Sequence, residues 1–139
     1  MRIRWNSVRA RRGVAATEFA VLAPILGLIA LGAYDFGNAV QTSIRLDRAV
    51  RTGAQHAVLQ PRDFAGMRAA ARAAWPALTD GELPMPTEAC LCGGSTVACS
   101  ATCGSGLVRT VTVTARRSVQ PFILGGLAAR AGSATVRVQ

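Results

Sequence analysis

Between Val14 and Ala33 the chain has 20 residues with a single ionisable side chain, the carboxylate of Glu18. At the rise of an α-helix such a run covers about 30 Å, the thickness of a bilayer's hydrocarbon core. A membrane-crossing helix is the simplest structure for it. Glu18 is the anomaly, because an acid near the start of a span is costly unless something pairs with it. Arg11-Arg12-Gly13 lead into the run, and Glu18 follows that glycine by five residues. A cut after Gly13 would supply a partner: the new α-amino group of Val14 is a cation that a carboxylate on a neighbouring subunit could neutralise. Pro24 lacks an amide hydrogen, leaves the carbonyl of Ala20 without its helical partner and predicts a bend. Small residues four apart, Ala16 with Ala20 and Ala23 with Gly27, offer a face for close helix approach. Ala and Gly are also simply common in this chain.

The formal charge of +9 comes from 16 arginines against 7 acids, with no lysine, and invites a nucleic-acid reading. Position argues against it. Arg2, Arg4, Arg9, Arg11 and Arg12 all precede Val14, so residues 14–139 hold 11 arginines against 7 acids, a net +4. Basic residues before a span hold that side in the cytoplasm, and Asp35 follows the span, so everything after Tyr34 is expected on the opposite side. About a hundred residues remain there, enough for one small domain.

Beyond the span, Leu46, Ala49, Val50, Gly53, Ala54, Ala57 and Val58 form an apolar stripe at helical spacing. Arg45, Arg48, Arg51, Thr52, Gln55 and His56 take the other faces, and Asp47 with Arg51 makes an i, i+4 pair. Pro61 ends this helix near Gln60. A second helix is predicted over Arg62 to Ala74, with Phe64, Met67, Ala71 and Ala74 on one side, Arg68 and Arg72 on the other, and Pro76 closing it. His56, the only histidine, is expected to face solvent. No Ser/His/Asp set, glycine-rich phosphate loop or suitably placed pair of acids is present, so the sequence points away from an enzyme and calls for no cofactor.

From Gly81 to Gly106 the composition turns to Gly, Pro, Ser, Thr and Cys and predicts an irregular loop. Its cysteines are Cys90, Cys92, Cys99 and Cys103. On an oxidising side of a membrane an even count favours disulfides. A Cys90–Cys92 bridge would enclose one residue and be strained. Two sets remain: Cys90–Cys99 with Cys92–Cys103, or Cys90–Cys103 with Cys92–Cys99. A four-thiolate zinc site is the competing account, but the spacings of one, six and three residues differ from the usual knuckles, so no metal is expected. Two strands follow, Val111 and Val113 alternating with threonines, then Ala134, Val136 and Val138. Their connector, Arg116 to Ser133, is too long for a tight hairpin and holds the apolar Phe122-Ile123-Leu124. That patch is expected in the core, with a subunit contact or the lipid face as alternatives. The fold class is therefore α+β: a long amino-terminal transmembrane and amphipathic helix, a second short helix, a disulfide-rich loop and a small antiparallel sheet.

Gly13, four small or apolar residues, Glu18-Phe19 and the run Ala20 to Gly27 with Pro24 resemble the class III signal of type IV pilins and pseudopilins. Within that group the chain is most similar to the TadE-like minor pseudopilins of tight-adherence (Tad/Flp) pilus systems. The resemblance continues through Asp47 to Gln55 and the cysteine cluster, and so over most of the chain; Trp75–Glu88 and Val119–Gly132 match nothing in it. It implies processing between Gly13 and Val14 by a prepilin peptidase, and subunit docking through Glu18, with Phe19 and Pro24 shaping the helix. It also implies partners among other pilins, pseudopilins and Tad inner-membrane assembly proteins, besides membrane lipid and without nucleic acid. The implied layout is a cytoplasmic leader at 1–13, a transmembrane segment at 14–34 and an extracytoplasmic pilin-like domain at 35–139. The protein would then sit in the bacterial inner membrane or in the pilus, and serve adhesion or secretion. Three other readings compete: a secretory signal peptide cut before Ala33, an uncleaved anchor in which Glu18 snorkels to the headgroups, and a signal-anchored envelope module whose cysteine loop binds a metal or ligand.

Overall fold

Nothing between the apolar run and the amphipathic stripe can stop a helix, and the two join into one. In the computed structural model, which describes residues 6–104, 106–122 and 128–138, helix α1 runs Asn6–Leu59 with Pro24 in its interior. At 1.5 Å per residue its 54 residues reach about 80 Å. It stops just before Pro61, and Gln60 donates the last turn's hydrogen bond to His56 O at 2.9 Å. Helix α2 spans Phe64–Ala74, two residues shorter at its start than the pattern predicts, because Asp63 serves as its N-cap. Asp63 Oδ1 accepts from Gly66 N at 2.8 Å and Oδ2 lies 3.1 Å from His56 Nε2. The Gly66 amide, and then His56, hold the Asp63 carboxyl below its usual range. His56 is therefore a half-buried tie between the two helices and not the solvent-facing residue expected.

Four strands follow: β1 Thr87–Cys92, β2 Ser95–Val97, β3 Val108–Val119 and β4 Ala128–Val138. They form one antiparallel sheet in the order β2-β1-β3-β4. Two expectations change here. The Gly81–Gly106 stretch is not irregular throughout, since it contains the β1–β2 hairpin, with Cys92 opposite Ser95. Gly93 and Gly94, at φ 57° and 88°, make its two-residue turn, a geometry that side chains disfavour. The β3–β4 connector is also far shorter than Arg116 to Ser133. Pairing continues to Val119 opposite Ala128, leaving residues 120–127 between the strands. Arg116-Arg117-Ser118 and Ala128–Ala131 carry little strand propensity, so the ladder and the packing beneath it keep them extended. Gly132 is fitted to that packing: a Cβ there would come within 3.2 Å of Leu46 Cβ.

The core lies between the outer half of α1, helix α2 and one face of the sheet. Leu46, Ala49, Val50, Ala54 and Ala57 from α1 meet Met67 and Ala71 of α2 and Val111, Val113 and Ala115 of β3. Each large apolar side chain fully buried there contributes about 1.5–3 kcal/mol. Gly53 marks a close backbone approach of α1 to α2, since a Cβ on it would lie 2.9 Å from Met67 O. Val58, counted in the stripe, is 61% exposed. At 3.6 residues per turn it falls about 110° from the stripe's centre, off the buried face. The link after α2 closes the core with Leu78 and Leu83, and Arg116 N bonds Glu82 O at 2.7 Å. Asp80 holds this link to α2: Arg68 Nη2 lies 2.6 Å from Oδ1, and Arg72 reaches the same oxygen. Arg72, with Arg68 beside it, keeps the Asp80 carboxyl below its ordinary range, and the Thr79 amide does the same for Glu82. Arg117 stacks over Trp75 at 5.1 Å from the ring centre.

Candidate functional site

The inner half of α1 is a helix with nothing packed on most of it. From Val14 to Tyr34 no side chain is buried, and Val21, Leu22, Ile25, Leu26, Leu28 and Ile29 all point into open space. Phe19 is 66% exposed. A Cβ on Gly27 or Gly32 would meet nothing within 4 Å. Covering a side chain of this size is worth roughly 1.5–3 kcal/mol, so water is a poor surrounding for the whole face. The segment is long and apolar enough to cross a membrane, and none of its most apolar window is buried by the rest of the chain. Length, composition and exposure make it a candidate membrane anchor.

Glu18 lies one turn inside this segment and is exposed; among the described residues it forms no ion pair. Next to it, Thr17 Oγ1 donates to Val14 O at 2.8 Å. Gly13 belongs to α1 by its backbone, so the Gly13–Val14 bond lies within a helix continuous with the residues before it. Pro24 is likewise inside α1. The sequence-predicted residues thus share one uncovered helical segment, while the four cysteines lie at the far end of the sheet.

There the disulfides join Cys90 to Cys99 and Cys92 to Cys103, the first of the two expected sets. Cys90 is buried and pairs with Arg109 across the ladder. Arg109 Nη1 lies 3.1 Å from Glu88 Oε1, and its Nη2 donates to Cys99 O at 3.3 Å. A Glu88 oxygen lies within 4.8 Å of the Cys90 and Cys99 sulfurs. Those sulfurs are bonded to each other, and a disulfide supplies no thiolate for a metal. The arrangement staples a hairpin that has little apolar side-chain material of its own.

One contact was not foreseen. Where β3 ends, the chain returns along α1, and Phe122 N donates to Asp35 Oδ1 at 2.9 Å. Asp35 is only 8% exposed, although it follows an uncovered segment. The Phe122 ring meets Tyr34 edge-on, with centroids 5.7 Å apart, and is itself 74% exposed. Phe122 is therefore not core, contrary to expectation; Ile123 and Leu124 lie outside the described residues. Only the apolar character of Phe122-Ile123-Leu124 beside two glycines hinted at a special role.

A family model described as TadE-like protein matches residues 13–55, a stretch that lies wholly within α1. The family is associated with Tad pili. The match stops short of the cysteine cluster, so it supports the resemblance for this stretch and not for most of the chain. No curated protein and no solved structure matches the chain.

Proposed function

The chain carries a TadE-like segment at residues 13–55, and from that premise we propose that it is a minor pseudopilin, cut after Gly13 by a prepilin peptidase and acting in the assembly of a Tad-type pilus. The observation that carries the reading is the uncovered inner half of α1 with its single acid at Glu18. An apolar helix of this kind is stable in a bilayer and equally stable packed among like helices in a filament. A carboxylate suits both only if it finds a cation, and the α-amine of Val14 on a neighbouring subunit is that cation. Gly13 has no side chain to crowd the peptidase. Phe19 and Pro24 shape the packing surface. Residues 1–13 lie in the cytoplasm, 14–34 cross the inner membrane and 35–139 form the domain outside, where the two disulfides are stable. The subunit's work is structural, in adhesion or secretion, through contacts with other pilins and the Tad inner-membrane proteins.

The test is the mature amino terminus, read by intact mass from membranes of cells with and without the peptidase, beside the same reading for Glu18→Ala. The expected result is a start at Val14 that depends on the peptidase, and a Glu18→Ala protein that is cut but fails in pilus assembly. A start at Met1 or Ala33 overturns the pseudopilin reading. Normal assembly by Glu18→Ala overturns the docking role of the carboxylate.

A further inference from the structure

Phe122, three residues beyond the end of β3, sits at a particular height on α1. Asp35 is 21 residues beyond Val14, which on a helix is about 30 Å, one bilayer core. If α1 spans from Val14, the contact of Phe122 with Tyr34 and Asp35 falls at the outer boundary between acyl chains and headgroups. Three exposed aromatic side chains gather at this level: Tyr34, Phe36 and Phe122. Aromatic rings concentrate at such boundaries in membrane proteins. The chain from Ser118 to Ala129 has no ionisable residue, while Arg117 and Arg130 flank it opposite each other in the ladder. Arg130 and Arg116 are exposed, about 7 Å and 10 Å back along the ladder from its last pair, Val119 with Ala128, where phosphate groups would lie.

We propose that Phe122 enters the headgroup–acyl boundary of the outer leaflet, so that the extracytoplasmic domain rests on lipid at a second point beside its helix, with Arg116 and Arg130 facing the phosphates. The occupant is lipid and not protein, because Phe122 is continuous through Tyr34 with the span's own uncovered surface, and the strand residues bounding the uncharged stretch 118–129 are arginines. The Asp35 contact has a physical purpose in this arrangement. A backbone N–H near the apolar layer needs an acceptor that lipid does not provide, and Asp35 Oδ1 is that acceptor for Phe122 N. Two fixed points would set the domain's tilt before it enters a filament. The inference rests on the membrane-spanning reading of α1 given above.

The experiment places a nitroxide on Phe122→Cys in the full chain, in vesicles of phosphatidylethanolamine and phosphatidylglycerol. All four native cysteines are in disulfides, so the label is unique. Leu26→Cys reports on the span and Gln55→Cys on the aqueous domain. Collisions with oxygen, which concentrates in lipid, are compared with collisions with a water-soluble nickel complex. The expected result is an oxygen-favoured ratio at 122, shallower than at 26, and a nickel-favoured ratio at 55. A nickel-favoured ratio at 122 with an oxygen-favoured one at 26 leaves the span standing and overturns the lipid contact. Shielding of 122 from both reagents means a protein neighbour covers it and also overturns it. A nickel-favoured ratio at 26 overturns the spanning reading and this inference together.

Discussion

Single residues decide how closely the elements approach, and the glycines of α1 show it by contrast. Gly53 faces Met67 O, and a Cβ there would come within 2.9 Å of that backbone atom. Gly37, on the same helix, would meet nothing within 4 Å. Replacing an exposed helical glycine by alanine gains up to about 1 kcal/mol of helix propensity. At Gly53 the clash is with backbone, which cannot turn aside, and overpacking of this kind costs roughly 1–3 kcal/mol. Gly53→Ala is therefore expected to lower the stability of the outer domain despite the better helix former, whereas Gly37→Ala leaves it equal or slightly raised. Denaturant unfolding of the two variants in detergent checks this, and a stabilised Gly53→Ala would mean that α1 and α2 sit farther apart. The Asp63 cap works on the same scale: one carboxylate satisfies the Gly66 amide and ties His56 to the start of α2.

At the scale of elements, the β1–β2 hairpin has the least apolar support. Of its side chains only Cys90 is fully buried, and the strands hold through the ladder to β3 and the two disulfides. Closing a loop of this size is worth about 2–4 kcal/mol to the closed end. The double variant Cys92→Ser with Cys103→Ser is expected to lose that much locally, so that amides of residues 95–103 exchange freely while those of α1 and α2 near Val50 and Met67 keep their protection. Hydrogen exchange followed by mass spectrometry separates this from the alternative, a uniform loss of protection showing that the hairpin is part of the core's cooperative unit. The long β3–β4 ladder is built differently. Its inner face packs on α1, and its far end carries Phe122 down to Asp35.

Across the whole molecule, three lowered carboxyls make stability depend on pH in one direction. Asp63, Asp80 and Glu82 all titrate below their ordinary values of 3.8, 3.8 and 4.5. Groups lowered in the folded state bind fewer protons there than in the unfolded chain, so their contribution is complete above the ordinary values and disappears as the pH falls through the folded ones. For these three groups the melting temperature of the outer domain is expected to be level above about pH 5 and to fall progressively below about pH 4.5. Asp80→Asn should shift the midpoint down near neutrality and make the acid decline shallower, because the bridge from Arg68 and Arg72 to the link is already gone. An unchanged acid profile in that variant would show that the bridge contributes nothing measurable, as many exposed ion pairs do.

The sequence alone determined what depends on neighbours along the chain: the apolar run, its lone Glu18, the end of α1 before Pro61, the stripe from Leu46 to Ala57 and the alternation at Val111 and Val113. Such features follow from local geometry, and periodicity reads them directly. Tertiary structure decided what depends on distant residues. Thr87–Cys92 is a strand because β3 offers it a ladder, and Ala128–Ala131 is extended because β3 pairs with it above α1. Leu78 and Leu83 become core because the link folds over α1 and α2, and the choice between the two cysteine pairings was made by where the folded chain carries Cys99 and Cys103 after β2. Asp35, which looked like the polar end of a span, is the acceptor for a residue 87 positions away. No local pattern encodes that contact, because its partner's surroundings exist only once the sheet has packed on the helix.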